Sequence, residues 1–337
     1  MKVTLIGIDL AKNIFQVCGV NQSGNQVFNK AVKRNELLSE LLKYPGVLVA
    51  MEACGGSNYW GRELQALGFK VLLIPPIHVK PFVKGNKNDR NDSFAITEAA
   101  RRPNLQGVIP RSLEQTDIMQ VHKLRARLVD SRTALINQLR GFLSEYGEVV
   151  AQGKEKLLAA LPELLENANN RLTCSARHVV QQIWSEWCEL NKRIDSLDST
   201  LKQLAKNNEA ATRLMQIKGV AEKTATAVIA HAGNGCVYKN GRHFSANLGL
   251  VPKENSSGGK QKLSGITKRG NKYIRRLLVQ GAWSVLRNAE ASDDRLSQWA
   301  LKVASRRGKQ KAVVAVANKM ARIIWSMLFH KTEYRSN

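Results

Sequence analysis

The stretch "VTLIGIDL" at residues 3–10, continued by "IFQVCGVN" at 14–21 and "QVFNKAV" at 26–32, decides the fold. The segments alternate or run apolar over strand length, and "NQSGN" (21–25) is a turn signal, so three short strands in hairpin order are expected. A helical pattern follows in "NELLSELLKY" (35–44). Then "GVLVAMEACGG" (46–56) reads as a buried strand, "SNYWGRELQALG" (57–68) as a helix ended by Gly68, and "FKVLLIPP" (69–76) as a strand stopped by two prolines. The order β-β-β-α-β-α-β-α predicts a mixed sheet with helices packed on it, antiparallel in the meander and parallel in the later strands.

The middle third changes period. Val121, Leu128, Leu135 and Phe142 recur every seven residues with Leu124 and Leu139 offset. Val180, Ile183, Trp187, Leu190, Ile194, Leu197, Leu201 and Leu204 keep 3-4 spacing throughout. Two long helices are expected to pair with each other or with a second subunit as a coiled coil. Residues 147–175 read as a short helix and loop. From Asn207 the chain becomes helix, turn and loop. "ATRLMQIKGVAEKTATAVIAHAG" (211–233) has two helices about Gly219, as in a helix-hairpin-helix, but Ala221 stands where that motif has a second glycine, so a plain helical corner reads equally well. Three domains are therefore expected: an α/β domain at 1–110, a coiled-coil oligomerisation region at 111–206 and a basic, mainly helical domain at 207–337.

With 52 Lys and Arg against 27 Asp and Glu, the net charge is +25. Residues 1–110 hold 14 basic and 8 acidic side chains, 111–210 hold 14 and 13, and 211–337 hold 24 and 6, giving balances of +6, +1 and +18. The last third carries the footprint of a polyanion binder, with nucleic acid the leading partner and an anionic membrane the lesser one. No apolar run looks long enough to span a membrane and the start lacks a signal-peptide pattern, so a cytoplasmic, nucleoid-associated protein is expected. The five cysteines are scattered and odd in number, which points to reduced, mostly buried thiols; no histidine falls at zinc-ligand spacing.

Against this excess of cations, "NKNDRNDSFAITEAARR" (86–102) holds Asp89 and Asp92 three residues apart, Asp9 ends the first strand and Glu52 ends "GVLVAME". Like charges so placed need full solvation or a cation between them. Carboxylates at strand ends sit where a sheet's ligand crevice forms, and an oxygen-rich pocket of this kind suits Mg²⁺, which keeps positions for water and phosphate oxygens. Two such ions stabilise both oxygens of a phosphodiester displacement. Singly, each acid has a duller reading: Asp9 capping a helix from Ala11, Asp92 as an N-cap, Glu52 paired with a lysine.

"GIDLAK" (7–12), "MEACG" (51–55) and "KNDRNDSFAITEAAR" (87–101) resemble the three signature stretches of the DEDD insertion-sequence transposases, the one-ten and eleven-eleven group. The resemblance implies a RuvC-like, ribonuclease-H-type domain, with Asp9, Glu52, Asp89 and Asp92 as the acidic tetrad and magnesium as its ion. It extends to the last third, where "GLVP" (249–252), Ser257-Gly258 and Lys268-Arg269-Gly270 match that group's "GL-x-P", Ser-Gly and "K-x-G" in order. It therefore covers essentially the full chain.

The resemblance makes Ser257 the nucleophile. From the residues alone, a serine flanked by glycine can approach a backbone phosphate closely, and "NSSGGKQ" also reads as an ordinary polar loop in which Ser256 competes. Lys260, Lys262, Lys268, Arg269, Asn271 and Lys272 are expected to bind nucleic acid, with Arg275 and Arg276, one turn into the next helix, on phosphates. The resemblance further implies a covalent phosphoserine intermediate, a site assembled from both ends of the chain within a dimer or tetramer, and a structured guide RNA that pairs with donor and target double-stranded DNA. A RuvC-like nuclease using activated water would dispense with Ser257. "GIDLAK" also resembles the "GIDxGT" phosphate loop of actin-like sugar kinases, but Ala11 and Lys12 replace its Gly-Thr, and a +18 terminal third suits no small sugar. A non-enzymatic nucleic-acid scaffold would tolerate Asp9→Asn.

Overall fold

The computed structural model describes residues 2–335 except Lys87 and Gln106, and only the backbone of Lys154. Lys87, which opens the third signature stretch, thus lies outside the described residues. The chain divides into two compact units, residues 1–115 with 235–239, and residues 116–234 with 240–337. The heptad helices and the basic third share the second unit.

In the first unit, β1 (Leu5–Asp9), β2 (Ile14–Val20), β3 (Gln26–Lys33), α1 (Leu37–Leu41), β4 (Leu48–Glu52), α2 (Ser57–Ala66), β5 (Lys70–Ile74), α3 (Pro76–Val79) and α4 (Asp89–Ala100) follow in order. The sheet order is β3-β2-β1-β4-β5, antiparallel across β3, β2 and β1 and parallel across β1, β4 and β5. This is the mixed sheet the sequence predicts, as expected of a ribonuclease-H-like domain. Both faces are apolar. Ile6, Ile8, Phe15, Val17, Val49 and Met51 pack with Leu37, Leu41, Trp60 and Leu64 on one side, while Leu5, Cys18, Ala50 and Ile74 meet Ala95, Ile96 and Ala99 of α4 on the other. These near-continuous apolar runs are what a sheet covered on both faces requires.

The helix α4 lies unusually close to β1, because Gly7 offers no side chain. A Cβ built there would stand 2.6 Å from the Thr97 methyl and 2.7 Å from the Ser93 carbonyl oxygen. Asn29 of β3 fixes the same helix from its start: its Nδ2 donates to the Arg90 carbonyl (3.0 Å), and its Oδ1 accepts from Gln16 Nε2 (2.6 Å) and Ser93 Oγ (3.3 Å).

The second unit comprises α5 (Leu113–Glu145, its first turn in the first unit), α6 (Lys154–Glu166), α7 (Cys174–Lys206), α8 (Glu209–Leu214), α9 (Glu222–Ala232), α10 (Gly241–Asn247), β6 (Pro252–Glu254), β7 (Leu263–Ile266), α11 (Lys272–Arg287), α12 (Arg295–Arg307) and α13 (Lys309–His330). Leu128, Leu135, Leu139 and Leu143 of α5 share one core with Val180, Ile183, Leu190 and Ile194 of α7 and with Leu157 and Leu161 of α6. Arg125 bonds Asp198 and Arg132 bonds Asn191, so the two long helices run antiparallel. The heptad stripe is therefore buried within the chain. The expected Leu128, Leu135 and Leu139 are buried in it, while at its amino-terminal end Leu124 is exposed and Ile118 and His122 take the inner face. The segment between them is pinned by arginines. Arg140 donates to the carbonyls of Val150, Ala151 and Gly153, and Arg177 to those of Leu164, Leu165 and Asn167, which closes the end of α6.

Two expectations need correction. α13 is long and apolar enough to cross a membrane by length and composition, contrary to the sequence reading. It is instead the core helix of this unit, burying Val313, Val316, Met320 and Ile324 against α10, α11 and α12 while turning Lys311 and Arg322 outward. At the Gly219 turn a Cβ would meet the Gly281 carbonyl oxygen of α11 at 2.6 Å, so packing requires the glycine there. Finally, the cysteines are all free, but only Cys18 is buried, where burial pushes its thiol up to about 12; Cys174 and Cys236 are exposed.

Candidate active site: an acidic pocket and a serine hairpin

In the first unit, β1 and β4 are parallel neighbours whose register pairs Ile8 with Met51, so Asp9 and Glu52 leave the sheet side by side at its carboxyl end. The helix α4, held by Gly7 and Asn29, brings Asp92 to the same place. Burial raises the Glu52 carboxyl above its ordinary value and the negative charge of Asp92 adds to the rise. The Cys54 thiol is raised by burial and then by the charges of Glu52 and Asp9. The Glu52 carboxyl thus feels the Asp92 charge, and the Cys54 thiol beside them feels those of Glu52 and Asp9. Asp89, the first residue of α4 and three before Asp92, is exposed.

The duller readings fail one by one. No helix begins at Ala11, since β2 starts at Ile14. The N-cap of α4 is Asn88, whose side chain accepts from the Asn91 amide at 2.8 Å. Among the described residues neither Glu52 nor Asp92 forms an ion pair, although the chain has 52 basic side chains to offer. Carboxylates that repel each other without a basic partner are the donor chemistry of a hard divalent cation. Among the described residues no three His, Cys, Asp or Glu side chains converge closely enough to ligate one ion together.

In the second unit, β6 and β7 form an antiparallel pair whose tip is Ser257-Gly258-Gly259-Lys260. The Lys260 amide donates to the Ser257 carbonyl at 3.0 Å, and Gly258 and Gly259 have φ of 55° and 74°. Two successive left-handed residues make a type I′ turn, which glycines occupy without strain. The two serines differ in occupation. Ser256 Oγ donates to Glu254 Oε1 at 2.7 Å and accepts from the Lys262 amide at 3.1 Å, clasping the hairpin shut. Ser257 is exposed at the tip, and its hydroxyl has no hydrogen-bond partner among the described residues. Lys260, Lys262, Lys268 and Arg269 are exposed on the same loop.

The hairpin's root is rigid, and its glycines explain two of the motifs. A Cβ on Gly249 would meet Arg269 backbone oxygen at 2.2 Å, and one on Gly270 the Asn247 oxygen at 1.7 Å, so the two loop ends lie backbone against backbone. Arg275 fastens both. It is only 8% exposed, and its Nη1 donates to the carbonyls of Leu248 (2.9 Å) and Arg269 (2.8 Å). The expectation that Arg275 holds a phosphate is thereby corrected: the side chain turns inward because two orphan carbonyls need a donor. Asn271 likewise caps α11, accepting from the amides of Tyr273 and Ile274. Lys272 and Arg276 remain exposed, with the Arg276 guanidinium over the Tyr273 ring. The sequence reading missed Gly7, Asn29 and Glu254. A glycine amid a β-branched strand and an acid inside a basic loop were the available signals.

Family comparison finds transposase signatures toward both ends of the chain. A DEDD-type transposase model matches residues 6–148, and one described as transposase of the IS116/IS110/IS902 family matches residues 211–297. The chain is 41% identical to the transposase for insertion sequence element IS1111A of Coxiella burnetii, over 99% of this chain and 92% of that protein. It is 39% identical to a probable family 20 transposase of Pseudomonas aeruginosa over 99% of each, and 38% identical to the transposase for insertion sequence element IS1328 of Yersinia enterocolitica over 96% of each. Shared signatures at both ends of the chain and similarity over its whole length lead to one conclusion: this protein belongs to the IS116/IS110/IS902 family of insertion-sequence transposases, enzymes that cut and rejoin DNA.

Proposed function

We propose that this transposase exchanges DNA strands through Ser257. The observation that carries the reading is the contrast at the hairpin tip, where Ser256 is bound into the clasp and the Ser257 hydroxyl is unengaged. In the forward step Ser257 Oγ, losing its proton to solvent, attacks phosphorus; the bond to the 3′ oxygen breaks, leaving a 3′-hydroxyl and a phosphoserine ester. In the second step a 3′-hydroxyl from the partner DNA attacks that ester, restores the serine and reseals the strand, so the bond energy is conserved. Lys260, Lys262, Lys268 and Arg269 neutralise charge on the phosphate, while Lys272 and Arg276 hold the flanking backbone.

Asp9, Glu52 and Asp92, with Asp89 one turn away, would hold the divalent ion that this family uses, and magnesium suits their oxygen donors. When bound, that ion supplies positive charge to the phosphoryl group and the leaving oxygen. The +18 balance of the last third, together with the family resemblance, supports two polyanionic partners: donor and target DNA, and a structured guide RNA that selects them. We further propose a dimer or tetramer, since one chain has one serine of this kind and strand exchange needs several.

The test is recombination of donor and target plasmids with magnesium and the RNA transcribed from the element's flank, with protein-DNA adducts resolved on a denaturing gel. Wild type should give adduct and recombinant; Ser257→Ala and Asp9→Asn should give neither, and Ser256→Ala should keep the adduct at reduced yield. Recombination persisting in Ser257→Ala would reject the serine and leave a water-activating nuclease as the reading. Unchanged products without RNA would reject the guide.

A further inference from the structure

A cavity of about 960 Å³ lies away from the residues assigned so far, in the second unit between α10, α12, α13 and the root of the hairpin. Arg242, Lys311, Lys319 and Arg322 line it, and no acidic residue does. Its floor is apolar, formed by Leu250, Val314 and Ile323. Lys319 is not free to sweep the surface: its ammonium sits 4.4 Å from the centre of the Trp299 ring, a cation–π contact that fixes the charge over the cavity wall. A second cavity of about 510 Å³ shares Lys319, Ile323 and Ser326 with the first and adds Arg295 and Arg335, together with Glu333, so the basic track continues along α13.

We propose that this groove holds an unpaired segment of the DNA strand that runs to the phosphate under attack. An apolar floor with aromatic walls and a rim of cations is the combination that binds single strands, with bases against the floor and phosphates at the rim. A cavity of this size matches sites for small ligands, about 300–1,000 Å³, and takes a nucleotide or two removed from the stack, whereas the rigid cylinder of a duplex stays outside. The choice of DNA follows from position. Pro252 and Ile266, the first residue of β6 and the last of β7, form part of the wall, so the occupant touches the root of the arm that carries Ser257. At roughly 3.3 Å per residue the tip lies about 16 Å away, a span of two or three extended nucleotides. This choice of strand rests on the Ser257 reading; the charge and shape of the groove do not.

The experiment is fluorescence anisotropy of the full-length protein with three labelled probes at one salt concentration: a short oligothymidylate, a mixed-sequence duplex of equal length, and an oligouridylate. Lys311→Glu and Arg322→Glu alter exposed side chains and should melt as the wild type does. Both should weaken oligothymidylate binding at least tenfold and leave the duplex within about twofold. Trp299→Leu, as an independent readout, should abolish most of the tryptophan quenching that oligothymidylate causes. Single-strand affinity unchanged in both charge reversals, or duplex affinity falling in parallel, overturns the proposal; loss confined to oligouridylate overturns the DNA assignment in favour of RNA. Ser257→Ala should bind oligothymidylate like wild type, so a failed serine reading in the recombination assay stays distinguishable from a failed groove.

Discussion

The acidic pocket and the serine hairpin solve opposite problems. Two strand ends and a helix lying directly on Gly7 bring Asp9, Glu52 and Asp92 to one end of the sheet, near enough for the Asp92 charge to act on Glu52 but not close enough to ligate one ion together. Ser257, the nucleophile we propose, stands instead at the tip of an exposed two-stranded arm whose burial is at its root. Mutations in the pocket's scaffold should therefore cost stability, and mutations at the tip should cost chemistry.

The sharpest break between root and tip is Arg275→Met. It orphans the carbonyls of Leu248 and Arg269 and should cost about 2–4 kcal/mol in urea unfolding, while Arg276→Met next to it should stay within about 0.5 kcal/mol and instead weaken DNA binding and flatten its salt dependence. Equal destabilisation by both would reject the inward role of Arg275.

The helix after the hairpin is also anchored by a titratable group. His122 is 1% exposed and sits between the Tyr273 hydroxyl (3.0 Å) and Thr226 Oγ1 (2.9 Å); burial, and then the Arg125 charge, lower its pKa to about 4. The folded protein thus keeps this ring neutral. The stability it secures is complete above the ordinary histidine pKa of 6.5 and is lost as pH falls from there toward 4, by about 3 kcal/mol. Unfolding curves of wild type and His122→Gln across that window should converge as the pH drops; a constant gap would exclude the mechanism.

Smaller still, Gly7→Ala should lose about 1–3 kcal/mol by forcing α4 from the sheet, with strand exchange falling further than stability alone explains as Asp92 moves. Gly258→Ala meets nothing within 4 Å and should cost only about 1 kcal/mol for its positive φ. Matching losses at these two glycines would erase the contrast. Smallest is Glu52→Gln. The raised carboxyl is a burden on the fold above the ordinary glutamate pKa, relieved as pH falls through the folded value and the group protonates. Without divalent ions the variant should melt about 1–2 °C above wild type at neutral pH and equal it in acid. Magnesium should raise the wild-type Tm and leave the variant's unchanged.

The sheet was legible because its strands carry their own punctuation: "NQSGN" ends a hairpin, Gly68 ends a helix, and two prolines stop β5. The acidic residues were legible because acids are scarce in this chain and fall at element ends. What composition and spacing do not carry is which side chain a neighbour will need. Arg275 and Arg276 are identical in sequence, and only the fold decides that one meets two carbonyls and the other meets water. Ser256 and Ser257 differ for the same reason, since Ser256 is held by a glutamate two residues before it and by the Lys262 amide that the turn brings back. The α5 stripe departs from its expected course only at its amino-terminal end, where His122 is polar in composition but internal in structure.

A clamped root and a free tip make the hairpin a lever. With an arm of about 16 Å, a tilt of only 6° or so at Gly249 or Gly270 displaces the serine by about 1.7 Å. Misplacements of about 1 Å already slow chemistry roughly a hundredfold. If Ser257 attacks as we propose, backbone contacts too close for any Cβ, remote from the tip, act as the bearing on which its aim turns.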